Sequence, residues 1–240
     1  MHTNRLFPAT HALTGTLLLA IDTCGPSGSV ALGRLTGGAV EILGQIELEG
    51  RSYSAMLVAA VSELLARSGV ELKNLTATVA VNGPGSFTGV RVGLSAVKGL
   101  AEAAQIPVVA VSRLEVMAAK AGLESAALDA HRHEIFLRVG GPDGQARELL
   151  AGAAELAALD SPPKRIAVCD DAAEQLLQEA WPDAELVRVT TPTAADSLRL
   201  CAPRAAAGQF VDLALLDGNY LRRSDAEIFG EPDTPRPQRP

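Results

Sequence analysis

Aromatic residues and long apolar runs are scarce in this sequence. Phe, Tyr and Trp together make up 3 % of the 240 residues, although apolar residues make up 48 %. A folded core must therefore be built mainly from Ala, Val, Leu and Ile. No segment reaches the roughly 18 consecutive apolar residues that a membrane-spanning helix needs. The N-terminal segment contains no apolar run of signal-peptide length, and we therefore expect a cytoplasmic protein.

Positive charge and cysteine are also limited. The formal net charge is −7 and no basic tract is present, which excludes the positive footprint that non-specific nucleic-acid binding requires. Any RNA-related role would have to be indirect or supported by a partner. Cys24, Cys169 and Cys201 are odd in number and far apart. They predict neither a disulfide framework nor a zinc knuckle, and they fit a reducing cytosol.

Apolar periodicity predicts an α/β organisation in the first half of the chain. The predicted elements are, in order, strands over 17–23, 29–35 and 39–48, a helix from Ser52 or Ser54 to about Ser68, a strand over 75–82, a helix over 88–104 and a strand over 106–112. The first three strands form an antiparallel meander. The later alternation of strand and helix implies parallel pairing.

The second half repeats this order in a shorter and less regular form. Its predicted elements are a segment at 125–133 leading into a strand at 134–140, a strand at 165–169, a helix at 171–180, a strand at 184–190 and a helix at 194–209 that Pro203 interrupts. A strand pair opens with an aspartate in each half, at Asp22 and at Asp129. This recurrence indicates an internal duplication.

The hairpins that begin with these aspartates are candidate phosphate sites. In "AIDTCGPSGSVAL" a carboxylate ends a strand, turn amides and hydroxyl groups such as that of Ser29 can face a phosphate, and Asp22 can hold Mg²⁺ through water. Asp129 is the corresponding candidate in the second half. The alternative is that Asp22 forms an Asx-turn with its own backbone, and the sequence leaves both interpretations open.

A second candidate is the glycine-rich segment "VNGPGSFTGVRVGLSAVKGL", residues 81–100. It matches neither the P-loop nor the GxGxxG pattern, although free amides at a helix N-terminus could still bind an anion. Gly93 and Gly99 lie inside the predicted helix, where each costs roughly 1 kcal/mol relative to Ala. Close packing explains that composition better, and we predict that Gly89 and Gly93 face a helix of a partner.

The predicted helix at 54–68 supports a docking role. Its apolar positions cover more than one stripe, and the surplus needs a second partner unless the helix is wedged within one large core. The predicted interface residues are Tyr53, Met56, Leu57, Ala60, Leu64, Gly85, Phe87, Gly89, Arg91, Gly93 and Val97.

The sequence offers no catalytic residue or metal site. His131 and His133 alternate on a predicted strand and would point the same way, but two histidines without a third ligand indicate a hairpin surface rather than a metal centre. Asp170 and Asp171 resemble a helix N-cap rather than a catalytic pair. No nucleophile elbow is present.

Several segments together resemble the TsaB (YeaZ) family. They are "LAIDT…GSVAL", "GPGSFTGVRVGLSAVKGLA", "IPVVAVSRLEVMA", "DAHRHEIF" and "YLRRSDAE", which follow in order between residues 17 and 229. The resemblance implies an actin-like (ASKHA, RNase H-like) two-lobed α/β fold with mixed sheets flanked by helices. It implies a non-catalytic partner of the threonylcarbamoyl transferase TsaD, working with the ATPase TsaE, in making N6-threonylcarbamoyladenosine in tRNAs that read ANN codons.

Further expectations follow from the resemblance. In that family two helices of the N-terminal lobe form a bundle with the partner or with a second copy, and tRNA is reached only through the complex. The chain alone should need no cofactor, with ATP or ADP at the interface of the complex. We predict an N-terminal extension at 1–15, an N-terminal lobe at 16–112, a C-terminal lobe with a return segment at 113–229, and a disordered Pro-rich tail at 230–240.

The chain also departs from related patterns. The transferase carries an HxxxH metal pair, and no two histidines here are four apart. Cys169 and Asp170 stand where family members often have Gly-x-Gly, and they would crowd and repel a nucleotide. Tyr53 replaces a family histidine. The alternative function, a free-standing ASKHA-type ATPase or phosphotransferase, would need Asp22, Asp129 and an adenosine pocket near 168–172.

Overall fold

A mixed five-stranded sheet forms the first lobe. The structure is a computed structural model that describes residues 15–49, 53–141 and 145–222. The sheet contains β1 (Thr16–Asp22), β2 (Gly28–Thr36), β3 (Ala39–Leu48), β4 (Ala77–Val81) and β5 (Val108–Val111) in the order β3-β2-β1-β4-β5. β1, β2 and β3 are antiparallel, whereas β1, β4 and β5 are parallel. The predicted meander and the predicted parallel pairing are both confirmed.

A second sheet repeats the same topology. It contains β6 (Ala126–Asp129), β7 (Ile135–Gly140), β8 (Ala146–Ala151), β9 (Arg165–Val168) and β10 (Glu185–Arg188) in the order β8-β7-β6-β9-β10. The repeat confirms the internal duplication and the two-lobed α/β fold with mixed sheets. The expectation of a shorter second copy is confirmed, since its strands are 4–6 residues long against 4–10 in the first sheet. The strand β8, which completes the sheet, was not predicted. Its adjacent Leu149 and Leu150 hid the alternation that marks a strand.

Six α-helices flank the sheets within the described residues. They are α1 (Tyr53–Arg67), α2 (Phe87–Ala104), α3 (Arg113–Lys120), α4 (Ala153–Ala157), α5 (Asp171–Ala180) and α6 (Ala194–Ala206). The Ser86 hydroxyl accepts a hydrogen bond from Gly89 N at the start of α2, and the Asp170 carboxylate accepts one from Ala173 N at the start of α5. The interpretation of Asp170 as an N-cap is therefore confirmed. Ser52, one of the two predicted caps of α1, lies outside the described residues.

Helix α6 returns from the second sheet and packs on the first. Leu198, Cys201 and Ala202 are fully buried in the core of the first lobe. The Ser29 hydroxyl and the Gln45 side-chain carbonyl accept hydrogen bonds from the amides of Ala194 and Ala195. These contacts cap the start of α6 with groups from β2 and β3.

Pro203 does not interrupt α6, contrary to the prediction. A proline removes one intrahelical hydrogen bond and crowds the carbonyl of the residue four before it. Here the neighbouring Cys201 and Ala202 are buried against the first sheet. Burial of that face therefore holds the last turn in place.

Beyond α6, the return segment runs along the edge of the first sheet, where Val211 N donates to Val108 O. None of the helices in the described ranges is long and apolar enough to cross a membrane. The predicted tail and all but the last residue of the predicted N-terminal extension lie outside the described residues.

Candidate functional site

The Asp22 hairpin is held by contacts within the chain. Asp22 is buried at the end of β1, and its Oδ1 accepts a hydrogen bond from Cys24 N at 2.9 Å. This is the Asx-turn geometry that the sequence left as an alternative. The other carboxylate oxygen, Oδ2, lies 3.5 Å from Nε of Arg113. Arg113 was not among the predicted site residues, because a lone arginine after a strand carries no local signal of its partner.

The other two phosphate candidates also have partners. Ser29 lies opposite Asp22 in the β1–β2 register, and its hydroxyl caps α6. Asp129 Oδ1 accepts from His131 N at 2.7 Å, and Asp129 Oδ2 lies 2.8 Å from the ring nitrogen Nδ1 of His131. The backbone amide of Asp129 donates to Asp170 Oδ2. The structure thus brings Asp22 and Ser29 together and places Asp129 beside Asp170 in the second lobe.

The two neighbouring histidines lie in a turn, so the strand predicted for them was wrong. Residues 131–133 connect β6 to β7, and their φ angles are 60°, 59° and 59°. Three residues in the left-handed region reverse the chain tightly between the antiparallel strands. The His131 side chain is 85 % exposed. Across residues 15–49, 53–141 and 145–222, no group of three or more His, Cys, Asp or Glu side chains is arranged to hold a metal ion.

Burial keeps the cysteine next to Asp22 protonated. Burial raises the pKa of the Cys24 thiol well above its ordinary value, and the nearby Asp22 carboxylate raises it further. Burial, followed by the charge of Asp170, likewise raises the pKa of Cys169. A thiol attacks as the thiolate, so neither group is arranged as a nucleophile.

Three glycines of the 81–100 segment, Gly85, Gly89 and Gly93, pack against the chain's own residues directly after β1. A Cβ atom on Gly89 would lie 2.0 Å from the Thr23 carbonyl oxygen, and one on Gly93 would lie 2.4 Å from Thr23 Oγ1. A Cβ on Gly85 would lie 2.1 Å from the Cys24 carbonyl oxygen. The prediction that Gly89 and Gly93 face a partner helix was therefore wrong. A helix face made of small residues indicates that another element packs closely against it, but it does not identify that element.

Most of the other predicted interface residues are buried in the first lobe. Leu57, Ala60, Leu64 and Val97 pack in its core. The Tyr53 hydroxyl donates to the Gly25 carbonyl oxygen at 2.8 Å, so this side chain supports the hairpin turn. Tyr53, Ala60, Leu64 and Val97 belong to the inner stripe of α1 and α2 and are not available to a partner, which corrects the prediction for these four residues. Leu57 is buried as well, but it also borders the groove between the two helices.

An apolar groove lies between the outer faces of α1 and α2. Its volume is about 420 Å³, and its lining residues are Leu57, Val58, Arg91, Val92, Ser95 and Ala96. Val58 is 64 % exposed and Met56 is 47 % exposed. We call this surface the α1–α2 groove. Val58 was not among the predicted interface residues, although it directly follows the buried Leu57 and therefore lies outside the inner stripe.

Aromatic rings extend the groove at the start of α2. The guanidinium carbon of Arg91 lies 3.9 Å from the centre of the Phe87 ring. The centre of that ring lies 5.0 Å from the centre of the Tyr220 ring. Tyr220 comes from the return segment, so no local pattern connected it with Phe87. Aromatic and arginine side chains are enriched in protein interfaces, and this edge of the groove has that composition.

The matching family model and the curated relatives are all named for the synthesis of threonylcarbamoyladenosine in tRNA. Residues 45–141 match the family model described as TsaD, tRNA N6-adenosine threonylcarbamoyltransferase. The chain is 37 % identical over 125 residues to the tRNA threonylcarbamoyladenosine biosynthesis protein TsaB of Escherichia coli (strain K12), covering 50 % of this chain and 52 % of the relative. The chain is also 35 % identical over 123 residues to TsaB of Bacillus subtilis (strain 168), covering 50 % of this chain and 52 % of that relative.

The chain spans about half the length of these curated relatives. A solved structure extends the similarity further. YeaZ from Pseudomonas aeruginosa superposes with a TM-score of 0.68 at 30 % identity, and the match covers 86 % of this chain and 100 % of that one.

Proposed function

The chain belongs to the TsaB (YeaZ) family, and on that basis we propose that it is a non-catalytic, partner-binding subunit in the synthesis of N6-threonylcarbamoyladenosine in tRNA. The partner that we propose is the transferase TsaD. The names of the TsaB relatives support the pathway. The match of residues 45–141 to the transferase family supports a partner of related fold.

The observation that carries the proposal is the α1–α2 groove. Exposed Val58 and Met56 stand beside an apolar groove of about 420 Å³. Apolar side chains that are exposed side by side on two adjacent helices form a surface that a protein partner can cover. An amphipathic helix fits such a groove by laying its apolar face into it. We therefore assign to TsaD an apolar helix face that covers Val58 and Val92.

The geometry around Asp22 supports a non-catalytic role. Its carboxylate is occupied by Cys24 N and by Arg113, and the hydroxyl of Ser29 caps α6. An ATPase of this type would direct the Asp22 carboxylate and the Ser29 hydroxyl toward phosphate and metal. Here both groups instead contact other residues of the chain. The alternative of a free-standing ATPase gains no support from these contacts.

The proposal includes the remaining partners. The ATPase TsaE joins the complex, and a second copy of the chain covers the same groove when the transferase is absent. ATP or ADP binds at an interface of the complex, and tRNA is contacted through the transferase. The net charge of −7 supports this indirect contact with tRNA.

A reconstitution assay tests the proposal. The purified chain would be combined with TsaD and TsaE of the same organism, tRNA and threonylcarbamoyl-adenylate, and modified adenosine would be measured by mass spectrometry. We expect modification only when the chain and TsaD are both present. Modification by the isolated chain, or equal modification by TsaD and TsaE without it, would overturn the proposal.

A groove variant makes the test specific. Val58→Asp places a carboxylate where the partner's apolar face should lie, and we expect it to abolish co-purification with TsaD and the dependent modification. Leu215→Asp is the matched control, since Leu215 is 80 % exposed and is not a lining residue of the groove. It should bind like the wild type. Equal loss in both variants would show that the groove is not the docking surface.

A further inference from the structure

Arg113 links the two lobes from a buried position. It is the first residue of α3, whose Leu114, Met117 and Ala118 pack in a core with the second sheet. The Arg113 side chain leaves that lobe and reaches the Asp22 hairpin of the first. Only 4 % of the residue is exposed, and an arginine is almost never buried to this extent without a partner.

The guanidinium group lies on the inner surface of the hairpin turn. Its Nε is 3.5 Å from Asp22 Oδ2, and a Cβ atom added to Gly25 would lie 2.3 Å from one of its terminal nitrogens. Among the described residues Nε has no hydrogen-bond partner, so the contact is an ion pair with imperfect geometry. The group therefore fills the space that a phosphate or a hydrated cation would take beside Asp22.

The positive charge of Arg113 affects the pKa of a thiol on each side of the cleft between the lobes. It opposes the upward shift in the pKa of Cys24, at the end of β1, and does the same for Cys169, which follows β9. Those two strands belong to different sheets. The guanidinium group therefore lies near the carboxyl end of a strand in each of the two sheets.

We propose that Arg113 is an internal pin that holds the interlobe cleft closed and keeps ligands away from the Asp22 hairpin. Other polar contacts join the same parts of the chain: Ser112 Oγ and Asn219 Nδ2 both donate to Glu148 Oε2 on β8. The pin makes the molecule a rigid body rather than a hinged one. This inference concerns the cleft, and it does not depend on which partner occupies the α1–α2 groove.

Labelling of the natural cysteines tests the pin. Arg113→Met removes the charge and keeps most of the side-chain volume, but it leaves Asp22 buried without a counter-ion, which is strongly destabilising. The double variant Asp22→Asn/Arg113→Met removes both charges and avoids that effect. N-ethylmaleimide would be added to the folded full chain, and labelling of each cysteine would be followed by peptide mass spectrometry.

Cys24 reports on the cleft, and Cys201 is the internal control, because it lies on the face of α6 that is buried in the first core. We expect the double variant to label Cys24 at least about tenfold faster than the wild type, as local opening exposes it, with Cys201 unchanged. Equal rates at Cys24 in both proteins would overturn the proposal. Parallel acceleration at Cys201 would overturn it too, because it would indicate global unfolding.

A second ion pair on the same helix gives a matched control. Glu115 of α3 pairs with Arg204 of α6 away from the hairpin. The variant Glu115→Gln/Arg204→Met should leave the labelling rate of Cys24 at the wild-type value. An increase equal to that of the Asp22→Asn/Arg113→Met variant would show that any loss of charge on α3 loosens the lobes, and would refute a specific role for Arg113.

Discussion

At the residue scale, Thr23 decides how closely α2 approaches the first sheet. Its Oγ1 donates to the Gly89 carbonyl oxygen at 2.6 Å, and its own carbonyl oxygen occupies the place where a Cβ on Gly89 would lie. Gly89→Ala should therefore lower the free energy of unfolding by about 3 kcal/mol, since the overlapping atom belongs to the backbone and cannot rotate away. Urea denaturation measures the change.

Gly99 provides the matched control on the same helix. A Cβ there would meet no atom of the described residues within 4 Å. Gly99→Ala should raise the free energy of unfolding by about 1 kcal/mol through helix propensity alone. If both variants changed stability in the same direction, the close contact at Thr23 would not be the reason for the glycine at position 89.

The Cys201 thiol gives the first lobe a pH dependence. Burial raises its pKa from 9.0 to about 12. The unfolded chain loses this proton above about pH 9, whereas the folded chain keeps it up to about pH 12. The stability from this thiol is therefore fully present below the unfolded pKa and is lost as the pH rises toward the folded pKa.

Between about pH 8 and pH 10.5, the wild type should lose about 2 kcal/mol more unfolding free energy than Cys201→Ala. Urea denaturation in a reducing buffer at several pH values measures both slopes. Comparing slopes removes the constant packing cost of the substitution. Parallel slopes for the two proteins would contradict the prediction.

At the scale of elements, α6 includes a residue that opposes its helical structure. Pro203 is exposed and lies within the last turns of the helix. Pro203→Ala restores a backbone N–H and removes the ring clash, at the cost of a more flexible unfolded chain. We expect a gain of about 1–2 kcal/mol in unfolding free energy, below the roughly 3 kcal/mol that separates proline from alanine in a helix interior.

Pro182→Ala is the corresponding control, because Pro182 is exposed in a turn between α5 and β10. Removing a proline from a compatible turn should cost about 0.4–1 kcal/mol. Thermal melts of the two variants should therefore shift in opposite directions. A lower melting temperature for Pro203→Ala would mean that the proline contributes to the end of α6 in a way that the helix geometry does not explain.

At the scale of the whole molecule, local patterns predicted the elements, and long-range contacts determined the site. Apolar patterns and glycine turns predicted the first sheet and most of the second, because most strands carry their own pattern, whereas β8 does not. The apolar pattern also predicted helices α1 and α2. The packing of Gly93 on Thr23, the pairing of Arg113 with Asp22 and the ring contact of Tyr220 join segments far apart in sequence. No spacing rule connects such segments.

The stability of the first lobe depends on α6, which follows the second sheet in the sequence. Its Leu198, Cys201 and Ala202 are fully buried on a sheet built from residues 16–111. A chain that ends after residue 190 would expose this face. Burying one leucine contributes about 1.5–3 kcal/mol, and a domain is stable by only about 5–15 kcal/mol, so loss of the whole helix should unfold the lobe.

We therefore expect a chain truncated after residue 190 to lose its cooperative thermal transition and to bind a hydrophobic dye, as exposed apolar surface does. A chain truncated after Arg222 retains every described element and should melt like the full chain. Differential scanning calorimetry distinguishes the two outcomes. A cooperative melt of the shorter chain would show that the first sheet is stable without α6, and the two lobes would then be independent folding units joined by one helix.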